Sequence, residues 1–221
     1  MAKDIVTVCL PAIPAMPDMA AGKWEEALKA AMAPFDLNWM EPSGEGQSEG
    51  EWDWYHVYGG DGDIGLPVRP GYEDDPRVIH NPVFSNGRPR TRRTTRCDGG
   101  PRMLLDFEAD RSATAVEAGR KWEARSRLAA PQRDSRFPQE PGGAADRPEA
   151  DRDRDAYVRR EVSRTIPTNV LLTLDGVWID GSLDPVHHPG LPRGREYFLY
   201  ADEYLMSLPG DALVLRVRFH S

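Results

Sequence analysis

Alternating apolar and polar positions predict the first strands of the chain. Residues 5–10 (IVTVCL) form an apolar run that is typical of a buried central strand. Residues 52–58 (WDWYHVY) alternate with a period of two. The residues expected to share one face of this strand are Trp52, Trp54, His56 and Tyr58. Gly59-Gly60 ends the strand.

The last third of the chain predicts a hairpin and a final strand. The apolar run VLLTL meets Asp175-Gly176 and continues as VWI, which indicates a hairpin with a two-residue type I′ turn. The last strand alternates again, and the residues expected to point inward are Leu213, Leu215, Val217 and Phe219. The residues expected to point outward are Arg216, Arg218 and His220.

Apolar residues at spacings of three and four predict three helices. The first carries Trp24, Leu28, Ala31 and Phe35 on one face and ends near Pro34. The second extends from about residue 106 to 128, and the third from 195 to 208, where Pro209-Gly210 stops it.

Together these elements predict an α+β fold with a mostly antiparallel sheet and helices packed on one face. A ferredoxin-like arrangement is an alternative, because a strand-helix-strand unit occurs at both ends of the chain. We expect a single domain over residues 1–221. Within it, residues 61–102 predict an irregular excursion. Residues 129–155, rich in Pro, Gly and charge, predict a flexible linker or insertion.

Composition limits the classes of function. The net charge of −8 disfavours general nucleic-acid binding, which depends on Lys and Arg neutralising phosphates. No apolar run approaches the roughly 20 residues needed to cross a bilayer, and the first residues lack a signal-peptide core. The two cysteines fit a reducing compartment. These features predict a cytoplasmic protein with no membrane association.

The charge is segregated along the chain. Residues 41–75 hold ten acidic residues and one base, whereas residues 86–102 hold six arginines and one acid. Arginine guanidinium groups bind phosphate or carboxylate through paired hydrogen bonds, so the second segment is a candidate anion site. Its candidate ligands are Arg90, Arg92, Arg93 and Arg96. The alternative is that the two segments neutralise each other.

The aromatic strand offers a second candidate surface. Trp54 and Tyr58 flank His56, and aromatic rings can stack on a base or a sugar. The alternative is that these rings belong to the core, where aromatics at strand spacing are common. His56 and His220 are candidate general acid-base groups, and Cys97, beside several arginines, is a candidate nucleophile. An inert buried cysteine is the alternative for Cys97.

Metal ligands are sparse in the sequence. Asp61 and Asp63 form a D-x-D pair, and His187-His188 lies in a loop, but adjacent histidines diverge and no HExxH motif is present. We expect no metal site and no cofactor.

Scattered motifs resemble a group of uncharacterised hypothetical proteins from actinobacteria and phages. The motifs are WDWY followed by GG, CDGG, LLDFEA, the LDGVW hairpin and a final strand ending in His220. The resembling proteins tend to carry WDWY-x-x-GG followed by Arg-Trp, and a Cys-His pair near the end. This chain has Asp61-Gly62 in place of Arg-Trp, and Phe219 before His220. The resemblance implies no particular activity.

We therefore expect a small cytoplasmic protein that binds a protein partner or an anionic, phosphate-bearing ligand through the arginine-rich loop. An enzyme acting on a nucleotide-like or phosphorylated substrate with histidine acid-base catalysis is the first alternative. A structural oligomer, with the last strand paired between chains, is the second.

Overall fold

The computed structural model describes residues 3–13, 23–37, 50–57, 65–80, 95–129, 153–182 and 190–220. Within these ranges the strands are β1 (Lys3–Leu10), β2 (Trp54–Val57), β3 (Leu66–Pro67), β4 (Arg96–Cys97), β5 (Gly99–Pro101), β6 (Val170–Leu172), β7 (Trp178–Asp180) and β8 (Leu213–His220). The helices are α1 (Lys23–Met32), α2 (Phe107–Ala129), α3 (Arg154–Ser163) and α4 (Gly194–Ser207). Short 3₁₀ turns follow α1 and β5, at Ala33–Phe35 and Arg102–Leu104.

The main sheet has the strand order β2-β8-β1-β6-β7, and β5 also pairs with β8. One edge of β8 pairs with β1 along all eight residues. The other edge pairs first with β5 and then with β2. Because both edges of β8 are hydrogen-bonded within the chain, the alternative in which this strand pairs with another chain is wrong.

Four of the five strand pairings of this sheet are antiparallel, and only β1 and β6 run parallel. The predicted α+β class with a mostly antiparallel sheet is confirmed. β8 lies between β2 and β1, so β1-α1-β2 forms the split unit on which the ferredoxin-like alternative depended. On its other side, β1 pairs with β6, and these two strands are parallel. A ferredoxin-like sheet is antiparallel throughout, so this sheet differs from it.

The sheet is covered on both faces, which corrects the prediction of helices on one face. On one face, Val6, Val8 and Leu10 pack against Leu28 and Met32 of α1 in the α1-side core. On the opposite face, Cys9 and Val214 pack against α2 and α4 in the α4-side core. The residues that α2 and α4 contribute to it include Phe107, Tyr197, Ala201 and Leu205. Helix α3 contacts both α2 and α4.

Local signals at the helix ends agree with the sequence. Asp106 accepts a hydrogen bond from the amide of Ala109 at 3.2 Å and so caps the start of α2. Asp153 caps α3 in the same way, through the amide of Asp155 at 3.0 Å. Pro34 lies in the 3₁₀ turn after α1, because proline cannot supply the amide that a continuing helix needs.

The hairpin between β6 and β7 has a longer turn than predicted. The amide of Thr173 donates to the carbonyl of Val177, and the amide of Gly176 donates to the carbonyl of Thr173, both at 3.0 Å. The loop therefore has three residues and ends at Gly176, whose φ of 75° lies in the left-handed region. A turn of this kind is the common three-residue hairpin rather than the two-residue type I′ form.

Parts of the predicted excursion at residues 61–102 belong to the folded body. Leu66, Val68, Val78 and Cys97 are buried in the α4-side core. The short strands β3 and β4 pair with each other, and β5 joins the main sheet. The predicted linker at residues 129–155 lies mostly outside the described residues, with α2 ending at Ala129 and α3 beginning at Arg154.

Candidate functional site

The register of β2 against β8 brings two of the predicted histidines to one surface. Trp54 lies opposite His220, and His56 lies opposite Arg218. Residues that are paired across an antiparallel ladder share a face of the sheet, so these four side chains form one surface. Together with the neighbouring Asp53, we call this surface the Trp54 edge.

Trp54 presents its ring at this edge. Its side chain is 50% exposed, and its ring centroid lies 4.7 Å from that of His56, with the planes inclined by 44°. Half of Trp54 is therefore in solvent, beside the imidazole ring of His56.

Trp52 is placed differently from its prediction. It is 8% exposed and belongs to the α1-side core, where its ring meets Tyr55 edge-on at 4.7 Å. Its indole N–H donates to the carbonyl of Met32 at 3.1 Å. The expectation that Trp52 shares a face with Trp54 is therefore wrong, because Trp52 precedes β2 and bridges to Asp36 instead of continuing the ladder.

His220 forms a pair with Asp53. Its Nδ1 lies 2.7 Å from the Asp53 carboxylate, and the amide of Asp53 donates to the carbonyl of His220 at 3.0 Å. The carboxylate fixes the ring orientation and favours the proton on Nδ1. The other nitrogen, Nε2, is covered from solvent and has no hydrogen-bond partner among the described residues.

The arginine-rich segment is described only at its end. Arg90, Arg92, Arg93 and Tyr58 lie outside the described residues, as do Asp61, Asp63 and His187-His188. Arg96 donates to the carbonyl of Gly65 at 2.6 Å and to the carboxylate of Asp110 in α2 at 2.8 Å. This ion pair with Asp110 connects β4 to α2.

Cys97 does not join the two histidines at the Trp54 edge. Its side chain is fully buried in the α4-side core. Cys9 is buried in the same core, and burial raises the pKa of its thiol from 9.0 to about 12 despite the opposing charge of Arg216. A nucleophilic cysteine needs an accessible thiolate, so the burial of Cys97 provides no support for that hypothesis.

Arg216 is a second residue that sequence reasoning placed wrongly. Predicted to point outward, it is 4% exposed and lies beneath the segment that leads into β6. Its guanidinium donates to the hydroxyl of Thr7 and to the carbonyl of Ile166. Burial lowers its pKa from 12.5 to about 10. Thr7 in the middle of a buried strand was the available signal, because a buried hydroxyl requires a polar partner.

The network around Arg216 extends to α4. The hydroxyls of Thr7 and Thr168 are 2.8 Å apart, and the hydroxyl of Tyr197 donates to the carbonyl of Thr168 at 2.8 Å. Burial raises the pKa of Tyr197, so this phenol stays protonated as a donor. The network joins β1, β8, α4 and the segment before β6, and its position in the core makes it structural.

The described residues contain no group of three or more His, Cys, Asp or Glu side chains that could hold a metal ion. None of the described helices is both long enough and apolar enough to span a bilayer. No protein-family model matches the chain, and no curated protein or solved structure matches it either. The resemblance to actinobacterial and phage proteins therefore stays a prediction.

Proposed function

We propose that the protein binds a planar, phosphate-bearing ligand of the nucleotide type at the Trp54 edge. The observation that supports this most is the half-exposed Trp54 ring, held against His56 at 4.7 Å and directly opposite His220. Stacking of a base on such a ring stabilises a complex by about 1–3 kcal/mol. A binding role of this kind needs no further chemistry from the protein.

The charge around the ring supports an anionic ligand. Arg218 and His220 lie on the strand next to Trp54, two residues apart and therefore on the same face. The guanidinium of Arg218 donates to phosphate oxygens, whereas the ring of His220 is held by Asp53. The proposal keeps the anionic ligand that the sequence predicts. It places a binding site on the sheet, in addition to the one expected at the arginine-rich loop.

Binding is favoured over acid-base catalysis by the positions of the candidate groups. Cys97 is buried, Nδ1 of His220 is engaged by Asp53, and Nε2 of His220 is covered. A general base must reach the substrate proton within hydrogen-bond distance. The Asp53–His220 pair is the observation that favours the catalytic alternative, which would require a rearrangement that uncovers Nε2.

The proposal is tested by adding AMP, ATP or inorganic phosphate and measuring the melting temperature and the heat of binding. We expect both nucleotides to bind and phosphate alone to bind more weakly, because phosphate has no ring to stack. Trp54→Ala should weaken AMP binding by about 5- to 150-fold.

Tyr72→Ala is the matched control, because it removes an aromatic side chain that is 45% exposed at a turn outside the Trp54 edge. It should leave AMP affinity unchanged. If neither nucleotide binds, or if the two variants lose affinity equally, the proposed site is wrong, and a protein partner becomes the better hypothesis for the exposed Trp54.

A further inference from the structure

A second candidate site lies on the opposite face of β2. A cavity of about 320 Å³ opens between α1, β2 and the segment at Ile79. Its walls are formed by Trp24, Glu25, Leu28, Tyr55, Val57, Ile79 and His80. The volume falls in the range of about 300–1,000 Å³ that is typical of small-molecule sites, and most of the wall is apolar.

The side chains around this cavity match one chemical class of ligand. Two aromatic rings, Trp24 and Tyr55, line the same space as the carboxylate of Glu25. Aromatic faces and a carboxylate both attract a positive charge, and an organic ammonium carries apolar substituents that fit an apolar wall. A phosphate-bearing ligand would instead be repelled by Glu25.

The electrostatics of the cavity wall point in the same direction. The pKa of Tyr55 is raised, first by burial and then by the negative charge of Asp36. Asp36 lies at the end of the turn that follows α1, beside Trp52. Glu25 and Asp36 therefore place carboxylates near Trp24 and Tyr55, whereas Arg218 lies on the other side of β2.

We propose that the cavity between α1 and β2 binds a small organic cation, with its ammonium group between Trp24, Tyr55 and Glu25 and its apolar substituents against Leu28, Val57 and Ile79. This site is separate from the Trp54 edge, because Tyr55 and Val57 alternate with Trp54 and His56 along β2. Either site can be present without the other.

The test compares two probes of nearly the same shape, choline and its neutral isostere 3,3-dimethylbutan-1-ol, with benzyltrimethylammonium as a larger cation. Binding is measured by calorimetry and by the NMR shifts of the tryptophan indole N–H groups. We expect both cations to bind more tightly than the neutral alcohol and to shift the Trp24 signal while leaving Trp54 unchanged.

Two neighbouring glutamates of α1 provide matched variants. Glu25→Gln keeps the shape of the side chain and should weaken choline binding by about two- to fivefold, since the charge pair of an exposed carboxylate is lost. Glu26→Gln, on an exposed residue outside the cavity wall, should leave the affinity unchanged. Equal binding of choline and the alcohol, equal effects of the two variants, or no binding of either cation would overturn the proposal.

Discussion

The two faces of β8 are both buried but are stabilised in different ways. On the α1 side, Leu213, Leu215, Val217 and Phe219 belong to an apolar core. On the α4 side, the apolar Val214 is followed by Arg216, whose charge is retained in the core by a hydroxyl and a carbonyl. The stability of the α1-side face depends on side chains whose volumes fill the core. The stability of the α4-side face also depends on the hydrogen-bond partners of Arg216 staying in place.

The largest expected effect comes from Arg216→Ala. This change leaves a cavity and deprives the hydroxyl of Thr7 and the carbonyl of Ile166 of their donor. We expect the free energy of unfolding to fall by about 3–5 kcal/mol, measured by urea denaturation.

The matched variant Arg216→Met keeps most of the volume and should lose less, about 2 kcal/mol. If Arg216→Met is as stable as the parent, the polar partners of Arg216 contribute nothing, and the contrast between the two faces is lost.

On the apolar face, Leu215→Ala should reduce the free energy of unfolding by about 3 kcal/mol, because Leu215 is fully buried and leaves a cavity. The volume-conserving Leu215→Met should cost less than about 1.5 kcal/mol. Both values are read from the same urea denaturation curves. A loss as large for Met as for Ala would show that shape, rather than volume, governs this face.

Stability should also fall in alkaline solution because of Cys9. The unfolded thiol loses its proton near pH 9.0, whereas the folded thiol keeps it up to about 12. The raised pKa contributes stability that is fully present below pH 9 and is lost as the pH rises towards 12. Between pH 8 and 10 the expected loss from this group is about 1.4 kcal/mol.

Cys9→Ala is the control for this pH dependence, and the difference in slope between the two proteins is the measured quantity. The window ends at pH 10 because the lowered pKa of Arg216 acts with the opposite sign above that value. Identical slopes for the parent and Cys9→Ala would contradict a buried, protonated thiol.

The smallest expected change in stability is at Trp54, where the α4-side face of the sheet is open to solvent. Trp54→Ala should lower the free energy of unfolding by about 1 kcal/mol, because half of this residue is in solvent and its main ring contact is with His56. Trp52→Ala should cost about 3–5 kcal/mol, because that indole is packed in the α1-side core. Similar losses for the two variants would show that Trp54 is a packing residue instead of a binding surface.

Patterns within a few residues of one another were sufficient to predict much of the fold. Residues 5–10 gave the central strand β1, and residues 106–128 and 195–208 closely match α2 and α4. The period of a helix or a strand is a property of consecutive residues, so it can be read locally. The hairpin was located correctly, but one additional loop residue changed its turn type.

The wrong predictions depend on information that the alternation of apolar and polar residues does not contain. The pattern in β8 assigns Arg216 and Leu215 to opposite faces but does not show whether a face is covered. That depends on α2 and α4 and on the Ile166 segment, which lie elsewhere in the chain. The meeting of Trp54 with His220 likewise depends on a pairing across more than 160 residues, for which the sequence offers no local signal.

The position of β8 in the sheet has a consequence for biosynthesis. The ribosome makes this strand after all three of its neighbours, and about 200 residues separate it from β1. At roughly 5–20 residues per second, β1 waits about 10–40 s for the strand that completes its antiparallel pairing. The nascent chain therefore exposes unpaired strand edges during this interval, and it should depend on chaperones that shield them until translation has passed His220.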